Sequence, residues 1–180
     1  MLGAALQFLS GCAAQAMGVM RRGENAGYGA SNVSARELEQ VRVVDAANPD
    51  RWYFSQSGQP VGTYGNFVPA PDAKKNPGYG GNRYMSDTGH KVPEAILISW
   101  REMPPPGGQP YTGKLVGPFK ILVRSKIPPN VLEQARRDNI SLEFGFSAGE
   151  VPPYMQWRLE DGNVKSDSKG NPKVLAQGEG

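Results

Sequence analysis

"ISLEFGFSAGEVPPYMQWRLE" runs from Ile140 to Glu160, and its reading decides the fold. Ile140, Leu142, Phe144 and Phe146 alternate with Ser141, Glu143 and Gly145. Further on, Met155, Trp157 and Leu159 alternate with Gln156, Arg158 and Glu160. A period of two puts each apolar set on one face of a β-strand. Between the two runs stands "GFSAG", Gly145–Gly149, the G-x-S-x-G pattern that carries the nucleophilic serine of many esterases and lipases. That elbow needs a strand, a sharp turn at the serine and then a helix. Here Pro152 and Pro153 forbid the helix, and the next pattern is another strand. The stretch therefore predicts a hairpin, strand–"SAGEVPP"–strand, with Ser147 at a strand end. The chain's single histidine, His90, precedes Ser147 in a polar, turn-like stretch, the reverse of the order in α/β-hydrolases. The expectation is that the protein is not an enzyme.

The same period recurs outward from this hairpin. "EAILISWRE" sets Ile96, Ile98 and Trp100 against Ala95, Leu97 and Ser99, with both faces mostly apolar, which predicts a central strand. "GPFKILVRSKI" sets Phe119, Ile121 and Val123 against Lys120, Leu122 and Arg124, a strand with one buried face. "RWYFSQSGQPVGTYGNFV" reads as a strand pair turning at Ser57-Gly58, and "VRVVDA" as a further strand preceded by a helical turn at Ser34, whose spacing to Glu37 fits a capping box. One helix is expected, around 130–138, with Asn130 as N-cap and Val131, Leu132 and Ala135 on its apolar side. Gly 23 and Pro 16 in 180 residues agree with short strands and many turns. The expected fold is mainly β (α+β): an antiparallel β-sandwich-like sheet with one packed helix.

Charge and residue inventory exclude several functions. The net charge is +3, with 20 basic residues scattered among 17 acidic ones, and no Lys/Arg run is interleaved with stacking aromatics, so nucleic acid is not an expected partner. One cysteine and one histidine cannot supply a zinc site of several such ligands. "DGNVKSD" lacks EF-hand spacing and "NPGYGGN" is followed by no Lys-Ser/Thr, so neither metal nor cofactor is expected.

The cysteine matters by position. Residues 1–12, "MLGAALQFLSGC", form an uncharged, mostly apolar run ending in Leu9-Ser10-Gly11-Cys12, which resembles the lipobox of bacterial lipoproteins and marks Cys12 for lipidation. No Lys or Arg precedes the run, which points to a start upstream of Met1. The run is too short to span a bilayer. Residues 13–33 read as a flexible tether, 34–161 as a single β-rich domain, and 162–180 as a polar, disordered tail. Two Pro/Gly loops stand out, Pro69–Tyr84 and Met103–Tyr111. Tyr79, Tyr84 and Tyr111 are the candidate partner-binding anchors, with Lys75 and Arg83 steering the encounter.

"GYGGN" at Gly78–Asn82, "VPEAILISWRE" from Val92, "GKLVGPFKILVRSKIPPNVLEQA" from Gly113 and the closing "MQWRLE" resemble a family of small proteobacterial lipoproteins built around a domain of unknown function. The resemblance spans roughly Val41 to Glu160. It implies a periplasmic immunity protein that binds and inhibits a lipase or phospholipase effector of the type VI secretion system. It further implies attachment through Cys12 to the membrane; the absence of Asp after the cysteine, in the sorting rule for such lipoproteins, implies the outer one. The alternative is a structural or assembly lipoprotein of the envelope.

Overall fold

The computed structural model describes residues 26–55, Pro69, 83–85, 91–165 and 172–180. The elements are β1 (Ala26–Asn32), β2 (Leu38–Asp45), β3 (Trp52–Ser55), β4 (Arg83–Met85), β5 (Ala95–Glu102), β6 (Leu115–Leu122), α1 (Pro129–Asp138), β7 (Ser141–Ala148), β8 (Met155–Lys165) and β9 (Pro172–Glu179). Two sheets form, ordered β4-β1-β7-β8-β9 and β3-β2-β5-β6. The fold is mainly β with one α-helix among the described residues, as the periodicity predicts. All pairs are antiparallel except β1 with β7, which run parallel in register from Ala26↔Leu142 to Asn32↔Ala148.

The core lies between the sheets. Tyr28, Leu142, Phe144, Phe146, Met155, Trp157 and Leu159 come from the first sheet, and Val41, Val43, Tyr53, Ile96, Ile98 and Trp100 from the second. Tyr28 joins the layers, its ring 4.5 Å from that of Tyr53 and 5.2 Å from that of Phe144. β5 is central, between β2 and β6, as its apolar faces require. α1 carries the chain from β6 in one sheet to β7 in the other, burying Val131, Leu132 and Ala135.

Four expectations need correction. The tether reading of 13–33 fails from Ala26 onward, because β1 lies between β4 and β7 with all seven residues buried. Its "AGYGASN" has one large apolar residue, so composition hid it. Small residues serve there because a Cβ on Gly27 would overlap the Glu143 carboxylate. The tail reading of 162–180 also fails: β8 continues to Lys165 and β9 pairs with it. β9 is held by backbone bonds, which hydropathy does not register. No helical turn starts at Ser34, whose hydroxyl donates to Asn32 Oδ1 at 2.6 Å. Finally, α1 has Pro128 rather than Asn130 as N-cap, because Pro129 begins the helix one residue before Asn130. The second strand expected within 52–68 and the Ser57-Gly58 turn lie outside the described residues, as does His90.

Candidate functional site

Topology gathers three connections at one end of the sandwich. β1 and β7 are parallel and both finish there; β2 starts there after the short link 33–37; β5, antiparallel to β2, ends there and β6 begins there. The end thus carries link 33–37, loop 103–114 and the hairpin 149–154 between β7 and β8. Pro69 bridges to Asn32 at the same end. Arg83 opens β4 opposite Gly29 of β1. Of the Pro69–Tyr84 stretch, Pro69 is thus fixed at this end, whereas Arg83 and Tyr84 pair with Gly29 and Tyr28 farther back along β1.

The hairpin accounts for "GFSAG". Ser147 is fully buried; its Oγ accepts from Tyr154 N at 2.7 Å and donates to Tyr154 O at 3.3 Å. Gly149 has φ 89, and a Cβ there would lie 2.7 Å from Ser34 Cβ and 2.8 Å from Asn32 Oδ1. The glycine is demanded by a left-handed backbone and by the close approach of link 33–37. That link folds on Asn32: Oδ1 accepts from Ser34 N at 3.0 Å, and Nδ2 donates to Arg36 O at 2.6 Å. At the hairpin tip Val151 is 66% exposed.

Loop 103–114 is built from two turns. In Pro105–Gly108, Gly108 N donates to Pro105 O at 2.8 Å, with Pro106 second and Gly107 third at φ 83. In Gln109–Thr112, Thr112 Oγ1 donates to Gln109 O at 2.7 Å, with Pro110 second and Tyr111 third at φ 66. Proline second and positive φ third fit type II turns, whose third place normally takes glycine or asparagine. A tyrosine there costs about 1–2 kcal/mol of backbone strain.

Two side chains hold that strained turn. Glu39, only 3% exposed, accepts from Tyr111 N through Oε2 at 2.9 Å. Arg101, the register partner of Glu39, donates from Nη1 to Gly113 O at 2.8 Å and from Nε to Gln40 Oε1 at 2.9 Å. A bulge in β2 makes this possible. Pairing shifts between Glu39 and Arg42, so Gln40 and Val41 together oppose Trp100, and Gln40 takes φ 50. The extra residue re-aims the side chains beside it, as bulges do. Gly113 completes the seat, because a Cβ there would overlap the Glu102 carbonyl.

Of the sequence-based candidates, Tyr111 is half-buried on this end. Arg83 and Tyr84 are not loop residues: they lie in β4, where Tyr84 pairs with Tyr28. Lys75, Tyr79 and Cys12 lie outside the described residues. Periodicity missed Glu39, Gln40 and Arg101. The one signal for them was "LEQV", where strict alternation fails at the start of β2, the mark a bulge leaves. No family model, curated protein or solved structure matches this chain.

Proposed function

We propose that this chain is an immunity protein: a periplasmic inhibitor, tethered through Cys12 to the outer membrane, that occludes the active-site mouth of a phospholipase delivered by type VI secretion. The family resemblance supplies the partner class. The observation that carries the binding surface is the strained turn at Tyr111, held on buried Glu39. Strain of this kind persists only where the surroundings over-determine it, and it clusters at ligand clamps. A turn already in its bound shape loses less entropy on association, and tyrosine is a favoured interface anchor. Val151 and Pro69 extend the same end of the molecule. A lipid anchor concentrates the inhibitor at the leaflet that the enzyme attacks.

The test is a detergent pull-down of the tagged full chain from its host, followed by assay of whatever it retains. A stoichiometric phospholipase, silent in the complex and active once released, is the expected result. Tyr111→Gly should leave folding stability within about 1 kcal/mol, since glycine relieves strain but adds chain entropy. It should weaken inhibition at least tenfold. Recovery of only envelope-assembly proteins or cell-wall material overturns the reading in favour of a structural lipoprotein.

A further inference from the structure

Ile96, Ile98 and Trp100 bury one face of β5 between the sheets, yet its other face is also apolar, with Ala95 and Leu97. That second face belongs to the outer side of the second sheet. Register pairing carries it across all four strands: Trp52 of β3 lies opposite Val44 of β2, Val44 opposite Leu97, and Leu97 opposite Lys120 of β6. Side chains of directly paired residues share a face of the sheet. Leu122, opposite Ala95, and Leu115, opposite Arg101, extend this face along β6 and are 51% and 50% exposed. Exposed Arg42 lies on the same side, its guanidinium 4.1 Å from the centre of the Trp52 ring. Helix α1 packs elsewhere, because its Val131, Leu132 and Ala135 belong to the core between the sheets.

We infer that this outer face docks on the surface of an anionic lipid bilayer. Charge selects that occupant first. The exposed charges on the face, Arg42 and Lys120, are basic. Among the described residues the only carboxylate that these strands turn to it is Glu39, which is buried beneath the Tyr111 turn. A second copy packed face to face would set cations against cations with no exposed acid to meet them, and like charges so placed suppress association. An anionic lipid surface attracts them, each basic side chain near it adding to the attraction. The apolar residues fit the same occupant. Tryptophan favours the level of the headgroups, and leucines set among cations enter the boundary with the acyl chains. Arg42 stacked on Trp52 joins both characters in one unit. This inference goes beyond the proposed inhibition and requires neither an acyl group on Cys12 nor a partner enzyme.

The test uses the full chain carrying Cys12→Ser, so that no acyl group contributes, and phosphatidylcholine vesicles with or without phosphatidylglycerol. The chain should co-sediment with the anionic vesicles and release them as salt is raised. Arg42→Glu combined with Lys120→Glu should bind about tenfold more weakly, and so should Leu115→Ser combined with Leu122→Ser, with far-UV circular dichroism to confirm folding. Fluorescence reads the location. Trp100 and Trp157 are buried in the core, so acyl-brominated phosphatidylglycerol should quench emission through Trp52, and Trp52→Phe should abolish that quenching. A chain that ignores anionic vesicles, a charge-reversed chain that binds like the parent, or quenching that survives in Trp52→Phe would each overturn the proposal. So would a dimer in solution, seen by sedimentation velocity, that the same substitutions dissolve, because the face would then belong to a second copy.

Discussion

At the residue scale, Tyr53 shows how one side chain ties a sheet to its own turn. Its ring is 1% exposed, and its hydroxyl donates to Asp45 Oδ2 at 2.8 Å. The other oxygen of Asp45 accepts from Ala47 N at 2.8 Å and Asn48 N at 3.3 Å, shaping the turn that leads into β3. Burial first, then the hydrogen bond to Asp45 and that residue's charge, push the Tyr53 phenol well above its ordinary range, against a smaller opposing effect of Arg51. A raised folded-state pKa contributes stability in full below the unfolded value of about 10. Above it the unfolded chain releases the proton while the folded one retains it, so stability falls with rising pH by at most about 1.4 kcal/mol per unit. Tyr53→Phe should therefore lower stability at pH 8 by about 1 kcal/mol, through the lost hydrogen bond, and flatten the decline above pH 10. Urea denaturation from pH 8 to 11 measures both; an unchanged alkaline slope would remove Tyr53 as its source.

At the element scale, β9 depends on backbone pairing and on one close contact. Gly178 lies opposite Trp157, and a Cβ on it would come within 2.6 Å of the indole ring. The glycine lets the Trp157 ring lie over the strand, which closes the core at that edge. Gly178→Ala forces the ring or the strand to move and should cost about 1–3 kcal/mol, as overpacking does. Exchange at the β9 amides should speed up before that of β7. A variant as stable as the parent would show that the ring moves aside freely. Helix α1, in contrast, has a buried side readable in advance, Val131, Leu132 and Ala135, although it starts at Pro129 rather than after Asn130; Asn139 ends it with φ 53. That left-handed cap suits asparagine and excludes branched residues. Asn139→Val should lower stability by about 1 kcal/mol or more, measured by thermal melting.

At the scale of the whole molecule, β1 decides whether the first sheet exists. It stands between β4 and β7, and Tyr28 bridges to the second sheet. A chain starting at Val33 would lose seven buried residues and leave β7 an open edge. It should show no cooperative unfolding transition by calorimetry, whereas the full chain should. A normal melt for the shorter chain would contradict the central place of β1. The loop end depends on the same strand, because Asn32, at its last position, organises link 33–37 and receives Gly149 of the hairpin.

The sequence by itself determined the strands that bury one apolar face. β2, β5, β7 and β8, with the helix after Pro128, were legible because period two and period 3.6 are local consequences of burial. The same local logic read "GFSAGEVPP" as a hairpin, since two prolines bar a helix whatever lies around them. Only the tertiary structure decided the rest. β1 and β9 have little apolar content, and their places follow from hydrogen-bonded neighbours far away in the chain. The seat of Tyr111 was hidden for the same reason. It needs a bulge in β2, a carboxylate 72 residues away in sequence and an arginine on β5, and no local pattern encodes that meeting. Burial writes itself into each segment, but pairing and close approach are properties of segments together.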